Sequence, residues 1–169
     1  MTNLLRVFFV VTGVGLASGL VSCTDPVRDQ QIAALGPEDP AVPQGPEHRP
    51  GQPCLLCHSE GGPASRAPFA IAGTVYDKIS SETGTEGVAV YLVDSSGGRR
   101  VADTNAAGNF FITQSEWSDL AYPFRVAVQK GKNTPQIMNT TVNREGSCNF
   151  CHKPGAGSYD AIPQVFATP

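Results

Sequence analysis

Two short stretches of this chain combine residues that can form covalent and coordinate bonds. In each, two cysteines stand three positions apart and a histidine follows the second one directly: Cys54, Cys57 and His58, and again Cys148, Cys151 and His152. Two thiols at this spacing can each add to one vinyl group of a haem, and the histidine then presents its imidazole to the iron. The pattern is the attachment signature of c-type haem. The sequence therefore predicts two covalently bound haems.

The cysteine and histidine usage of the chain favours haem over three alternatives. Four of the five cysteines and two of the three histidines fall in the two motifs. A structural zinc site built from the four motif cysteines, a pair of disulfides, and a thioredoxin-like redox motif each explain the cysteine pairs. None of the three requires a histidine directly after both pairs. A thioredoxin-like motif also belongs in a βαβ context, and the sequence shows no helical pattern for one.

The remaining candidate iron ligands are few enough to count. Two six-coordinate haems need four axial ligands, and the chain after residue 22 has three histidines and one methionine. His58 and His152 are the proximal ligands by motif, which leaves His48 and Met138 as the predicted distal ligands. The alternatives are a solvated loop histidine and a methionine that packs beside Ile137. Spacing does not say which haem each of the two would serve. Methionine ligation would give its haem the higher potential.

Short strands are predicted between the two motifs, because alternating or continuous apolar runs rich in β-branched residues are bounded by turn residues. The predicted strands cover residues 69–76, 87–94, 99–104, 109–113 and 123–129. Residues 95–98 give a hairpin signal and residues 105–108 a second turn. Residues 115–121 are expected to form one helical turn capped by Ser115, with Trp117 in the core. Residues 161–169 could pack as a last strand or hang free, and Pro163 weakens the strand interpretation.

The region from about residue 69 to 130 resembles the carboxypeptidase regulatory-like, or transthyretin-like, β-sandwich family. The residues that carry the resemblance are Gly73-Thr-Val, Gly87-Val-Ala-Val-Tyr-Leu and Thr104-Asn-Ala-Ala-Gly-Asn-Phe. Asn105 stands where the family usually has Asp. Members are mostly structural or binding modules without catalytic residues, so the resemblance implies a fold and no chemistry. We therefore expect a mainly β fold: a small antiparallel β-sandwich at residues 69–130, flanked by loop-rich haem segments at 48–68 and 131–169.

The amino-terminal segment predicts export. Arg6 precedes an apolar run that is about half the ~20 residues of a membrane-spanning helix, so residues 1–22 are interpreted as a signal peptide rather than a retained span. Leu20-Val-Ser-Cys23 resembles the lipobox of bacterial lipoproteins, which implies a lipid anchor on Cys23. Thr24, where Asp would signal retention, implies the outer membrane. Residues 23–47, rich in Pro, Gly and Gln, are expected to form an extended, flexible tether.

Charge and motif content narrow the function classes. The net charge is −3 and no cluster of Lys and Arg is present, so a nucleic-acid partner is not expected. The favoured function is electron transfer between redox proteins by an exported, membrane-anchored cytochrome facing the periplasm or the cell surface. One alternative is a small dihaem peroxidase or reductase, although no acid/base constellation supports an enzyme. Another is a lipid-anchored β-sandwich that binds or senses a ligand, with haem or zinc in a structural role. The sequence does not indicate an oligomeric state.

Overall fold

The structure is a computed structural model that describes residues 25–79, 81–153 and 162–167. That part of the chain is mainly β. Helix α1 spans Pro26–Ala34, a 3-10 helix spans Cys54–Leu56, and a four-residue helix, α2, spans Cys148–Cys151. The strands are β1 (Phe69–Tyr76), β2 (Val88–Val93), β3 (Arg99–Asp103), β4 (Asn109–Thr113), β5 (Arg125–Lys130), β6 (Gln136–Ile137), β7 (His152–Lys153), β8 (Ile162–Pro163) and β9 (Val165–Phe166).

Two main sheets carry the fold. One has the strand order β4-β1-β9 and the other β3-β2-β5-β6, while β7 and β8 form a small separate pair. All five strands that the sequence predicts are present, and β1 and β4 have the predicted bounds. The fifth begins two residues late, at Arg125: Pro123 has no N–H to donate to a ladder, and Phe124 pairs with Val142 instead.

One hydrophobic core joins the two sheets. In β2 alternate side chains point inward, as the period of two along a strand requires, whereas β1 is buried on both faces. Trp117, in the connection after β4, is 1% exposed, so the prediction that it packs in the core is confirmed. The core residues are Ala70, Ile71, Val75, Val88, Val90, Leu92, Phe110, Ile112, Trp117, Phe124, Val128 and Ala167.

The connection after β4 is a turn rather than the predicted helical turn, and its cap is Thr113 rather than Ser115. The Thr113 hydroxyl accepts from the backbone N–H of Glu116 (3.3 Å), and the Glu116 carboxylate accepts from the backbone N–H of Thr113 (2.8 Å). This reciprocal pair satisfies both backbone donors inside one turn. The chain therefore reverses direction without starting a helix.

The segment before the first motif is not extended throughout, in contrast to the expected tether. The Asp25 carboxylate accepts from the backbone N–H of Val27 and Arg28 (both 3.1 Å), which caps α1 at its start. Arg28 donates to the carbonyl of Glu60 (2.9 Å), and Arg49 donates to the carbonyl of Gly36 (3.0 Å). Side-chain contacts therefore join this segment to the rest of the fold. The flexible tether predicted from its composition would not make such contacts. Cys23 and the predicted signal peptide lie outside the described residues.

Within the described residues, no helix has both the length and the apolar character needed to cross a membrane. The sequence left open whether residues 161–169 pack as a last strand or hang free. A strand is present, because β9 pairs with Val75 and Tyr76 of β1. That pairing is parallel, as is the pairing of β7 with β8, so the expectation of antiparallel strands holds only for β1 to β6. Strands β6 and β9 also extend the two sheets beyond residue 130.

Candidate haem-attachment sites

Both motifs pack against β1. We call Cys54, Cys57 and His58 site 1, and Cys148, Cys151 and His152 site 2. Site 1 lies at the start of the strand, where the backbone N–H of Phe69 donates to the carbonyl of His58 (2.9 Å). Site 2 follows Ser147, which forms a parallel bridge with Ala72 in the middle of β1.

Two glycines allow the motifs to approach the strand and each other. A Cβ on Gly73 would lie 2.8 Å from the Cβ of Cys148, so only glycine admits that cysteine at this depth. A Cβ on Gly146 would lie 2.1 Å from the carbonyl oxygen of Ala70 and 3.1 Å from Cδ2 of Leu55. Leu55 belongs to the first motif and Gly146 directly precedes the second. Sites that are 90 residues apart in the sequence therefore meet at β1.

Burial governs the acidity of the thiols. It raises the pKa of Cys54 to about 11, and burial together with the nearby Cys54 raises the pKa of Cys148 to about 12. Burial also raises the pKa of Cys57. All four motif cysteines are free thiols. Among the residues the structure describes, no group of three or more Cys, His, Asp or Glu side chains is arranged to hold a metal ion.

His58 is held in an orientation suited to a metal ligand. Its Nδ1 lies 2.8 Å from the carbonyl oxygen of Ala67, a contact that fixes the proton on Nδ1 and directs Nε2 away as a lone-pair donor. The ring stacks on Phe69 with centroids 4.1 Å apart and planes 8° from parallel. Phe69 in turn stacks on Phe111 at 4.7 Å. Carbonyl and aromatic contacts together fix both the tautomer and the plane of the ring.

His48 lies beside His58, a pairing that sequence spacing did not predict. The two ring centroids are 5.7 Å apart, and the planes are inclined by 40°. Two imidazoles on opposite sides of one metal ion have ring centres roughly 6 Å apart, given metal–nitrogen bonds of about 2.0–2.1 Å. The Nδ1 of His48 contacts the carbonyl of Gly45, so this ring has the same orienting contact as His58. The separation of the two rings is therefore close to that of two imidazoles that bind one iron from opposite sides.

A buried polar cluster on the sheet positions the loop that carries His48. Asn109 Nδ2 donates to the carbonyls of His48 (3.1 Å) and Pro46 (3.2 Å). Thr74 Oγ1 donates to Asn109 Oδ1 (2.7 Å) and accepts from the backbone N–H of Gly51 (2.8 Å). Asn109 and Thr74 are both buried. The sequence analysis did not identify these two residues. The signal that could have found them was the presence of a polar residue within each of two predicted strands.

Site 2 opens into a cavity that also contains Met138. The cavity has a volume of about 730 Å³, within the range of small-molecule and cofactor pockets. The backbone N–H of Met138 donates to the carbonyl of Val126 (3.0 Å), which fixes this residue at the edge of β5. The motif residues on the cavity wall are Cys148, Cys151 and His152, and the apolar ones are Val126, Val128, Val142, Val165 and Phe166. The structure thus brings Met138 to site 2, as it brings His48 to site 1.

An unsatisfied hydroxyl on this wall fits an absent polar group. Ser147 is 2% exposed and its Oγ has no hydrogen-bond partner in the described part of the chain. Buried polar groups in proteins are nearly always paired, so each exception calls for an explanation. A haem carries carboxylates on one edge and is otherwise apolar. The cavity, with apolar walls and one unpaired donor, therefore fits the cofactor that the motif predicts.

No protein-family model, curated protein or solved structure matches this chain. The resemblance of residues 69–130 to the transthyretin-like family therefore stays a prediction from the strand and turn pattern. The function is therefore inferred from the geometry of the two sites.

Proposed function

We propose that this chain is an exported, lipid-anchored dihaem c-type cytochrome that transfers electrons and has no substrate chemistry of its own. When bound, each haem supplies an iron that gains and loses one electron. The electrons come from a one-electron donor protein and leave to a one-electron acceptor protein, so redox proteins are the partners of the domain.

The residues of each site have distinct tasks in this proposal. The paired thiols form thioethers with the vinyl groups, and the motif histidine binds the iron on one side. In site 1 His48 binds on the other side, held in place by Asn109. In site 2 Met138 does so from the edge of β5. With both axial positions taken, the iron has no open position for a substrate, which favours electron transfer over a peroxidase or reductase.

The observation that carries the proposal is the placement of the second ligands. Each motif lies next to one further residue able to bind iron: His48 at 5.7 Å between ring centroids in site 1, and Met138 in the shared cavity of site 2. The zinc and disulfide alternatives give no reason for a histidine to face His58 or for a methionine to line the cavity of His152. The haem interpretation gives a reason for both.

The finer organisation is part of the same proposal. The two sheets form a β-sandwich that acts as a scaffold, with one haem segment before it and one after it in the sequence. Residues 1–22 direct export, and Cys23 carries the lipid that attaches the protein to the cell envelope, at the outer membrane. In that compartment haem attachment to the thiols takes place.

The experiment that tests the proposal is a reduced pyridine haemochrome assay combined with intact mass, on the full chain expressed with a haem-attachment system. Two haems per chain are expected. A double substitution of Cys54→Ser with Cys57→Ser, and likewise Cys148→Ser with Cys151→Ser, should each leave one haem. The mass should also show loss of the signal peptide and addition of lipid at Cys23, and Cys23→Ser should abolish membrane attachment without changing haem content.

A protein that carries no haem under these conditions, with zinc or oxidised cysteines instead, would overturn the proposal. The cavity of about 730 Å³ would then support the alternative of a lipid-anchored binding or sensing module. A protein with two haems in which one binds carbon monoxide as readily as a five-coordinate iron would contradict the ligand assignment of that site and favour the enzyme alternative.

A further inference from the structure

We propose that the two sites form an ordered pair, in which electrons enter at site 1 and are held at site 2, because the surroundings of His48 and Met138 give site 1 the lower reduction potential. This inference rests on the proposed function and adds the direction of electron transfer to it.

Site 1 has a polar surrounding that favours oxidised iron. The Nδ1 atoms of His48 and His58 each face a backbone carbonyl. Such a contact makes an imidazole a stronger electron donor to its metal, which stabilises the ferric state. This effect lowers the potential of site 1.

At site 2 the cavity wall and the candidate second ligand favour the reduced iron. Its cavity wall is largely apolar, and the two charged side chains on it, Arg144 and Glu145, have opposite signs. An apolar surrounding disfavours the more highly charged state of a group, which here is the ferric iron. A methionine ligand raises the potential relative to a second histidine. Met138 and the apolar wall therefore act in the same direction, and both favour the reduced state at site 2.

The two sites are close enough to exchange electrons directly. Leu55, within the first motif, lies against Gly146, just before the second: a Cβ on Gly146 would be 3.1 Å from Leu55 Cδ2. A donor protein is oxidised as the iron of site 1 is reduced. That iron is reoxidised as the iron of site 2 takes up the same electron, and an acceptor protein then removes it. One electron is transferred in each step, so the sequence balances.

The test is an anaerobic spectroelectrochemical titration of the dihaem protein. The wild type should show two separate one-electron steps. A protein that keeps only site 1, through Cys148→Ser with Cys151→Ser, should titrate at the lower step. One that keeps only site 2, through Cys54→Ser with Cys57→Ser, should titrate at the higher step. Met138→His should lower the higher step alone, reducing the equilibrium constant for transfer from site 1 to site 2 at least tenfold, which is about 59 mV for one electron.

Ile79→Leu is the control, because Ile79 is 58% exposed and lies outside the cavity of site 2; it should leave both steps unchanged. Should Met138→His fail to fold, Met138→Leu takes its place and should remove the long-wavelength absorption band that methionine ligation gives ferric haem. A higher potential for the site 1 protein, coincident steps, or an absorption band that survives Met138→Leu would overturn the inference while two haems per chain leave the proposed function intact. A chain without haem would instead overturn the proposed function, and the inference with it.

Discussion

The buried side chain of Asn109 makes most of the hydrogen bonds that hold the His48 loop against the sheet, and removing them should loosen the loop. Asn109 is 6% exposed and makes three hydrogen bonds there: it donates to the carbonyls of His48 and Pro46 and accepts from the hydroxyl of Thr74. Asn109→Leu removes all three while keeping a side chain of similar length. No cavity is created, so the loss of polar contacts is the main effect.

The size of the effect follows from the partners left behind. The Pro46 carbonyl keeps a second donor, Asn105 Nδ2 at 2.8 Å, whereas the His48 carbonyl loses the Asn109 donor and the Thr74 hydroxyl loses its acceptor. A hydrogen bond contributes about 1 kcal/mol, and a buried group left unpaired costs about 1–3 kcal/mol. We therefore expect a destabilisation of roughly 2–4 kcal/mol. Much of it can be relieved by local opening of the loop, which would withdraw His48 from site 1.

Two measurements on the dihaem protein check this. Urea denaturation should show the loss of stability, and the redox titration should show a changed step for site 1 with an unchanged step for site 2. Asn133→Leu is the control, because Asn133 is an exposed residue of a turn and its replacement should fall within about 0.5 kcal/mol of the wild type. A change of that small size in Asn109→Leu, together with an unaltered site 1 step, would refute the positioning argument.

Three further substitutions test other contacts. Gly73→Ala should force Cys148 away from β1, because the two Cβ atoms would be 2.8 Å apart; overpacking of this kind costs about 1–3 kcal/mol, and peptide mapping should show haem lost from site 2 first. Asp94→Asn should reduce stability at neutral pH and flatten its decline in acid. Hydrogen bonds, first of all the one from the Ser96 side chain, lower the pKa of Asp94 below its ordinary 3.8. The carboxylate therefore contributes stability above that value, and this contribution is lost as pH falls through the lower, folded-state pKa. Phe69→Leu should cost about 0.5–1.5 kcal/mol of stacking and alter the spectrum of the haem bound by His58.

Each of these has an outcome that would contradict it. Full haem occupancy and wild-type stability in Gly73→Ala would show that β1 does not limit the depth of the second motif. An acid limb of the stability profile that is identical in Asp94→Asn and the wild type would remove this carboxylate from the pH response. A Phe69→Leu effect on both haem spectra would mean that the ring supports the whole sheet rather than one ligand.

Local patterns were sufficient to predict the strands that lie next to each other in the sequence. β1 is a nearly continuous apolar run and β4 is a short run centred on Phe110, Phe111 and Ile112, each next to clear turn signals, and their predicted bounds are those observed. The parallel pairing of β9 with β1 was not predictable in this way, because it depends on a contact across about 90 residues and involves only two residues, Val165 and Phe166. The full extent of helix α1, which begins at Pro26, was not predicted because its Pro, Asp and Gln content is also typical of linkers. Its cap and the contact of Arg28 appear only in three dimensions.

The residues of the two candidate sites were likewise predictable only in part. The spacing of the motif residues carries its own chemical meaning, so those six residues were predictable from the sequence. Which further ligand belongs to which motif depends on how the chain closes around β1, and spacing carries no record of that. Asn109 and Thr74 were missed for a related reason. Their role is to bind the loop that carries His48, and the sequence does not show that this loop packs on their strands.

The contact between Arg28 and the carbonyl of Glu60 limits how far the domain can stand from a membrane. Four residues lie between Cys23 and Arg28, and a chain spans at most about 3.6 Å per residue, so over five steps the Cα of Arg28 lies within roughly 18 Å of a lipidated Cys23. Glu60 is two residues from His58. With the anchor proposed for Cys23, we therefore expect site 1 to lie close to the lipid surface, where its proposed donor protein would have to reach it.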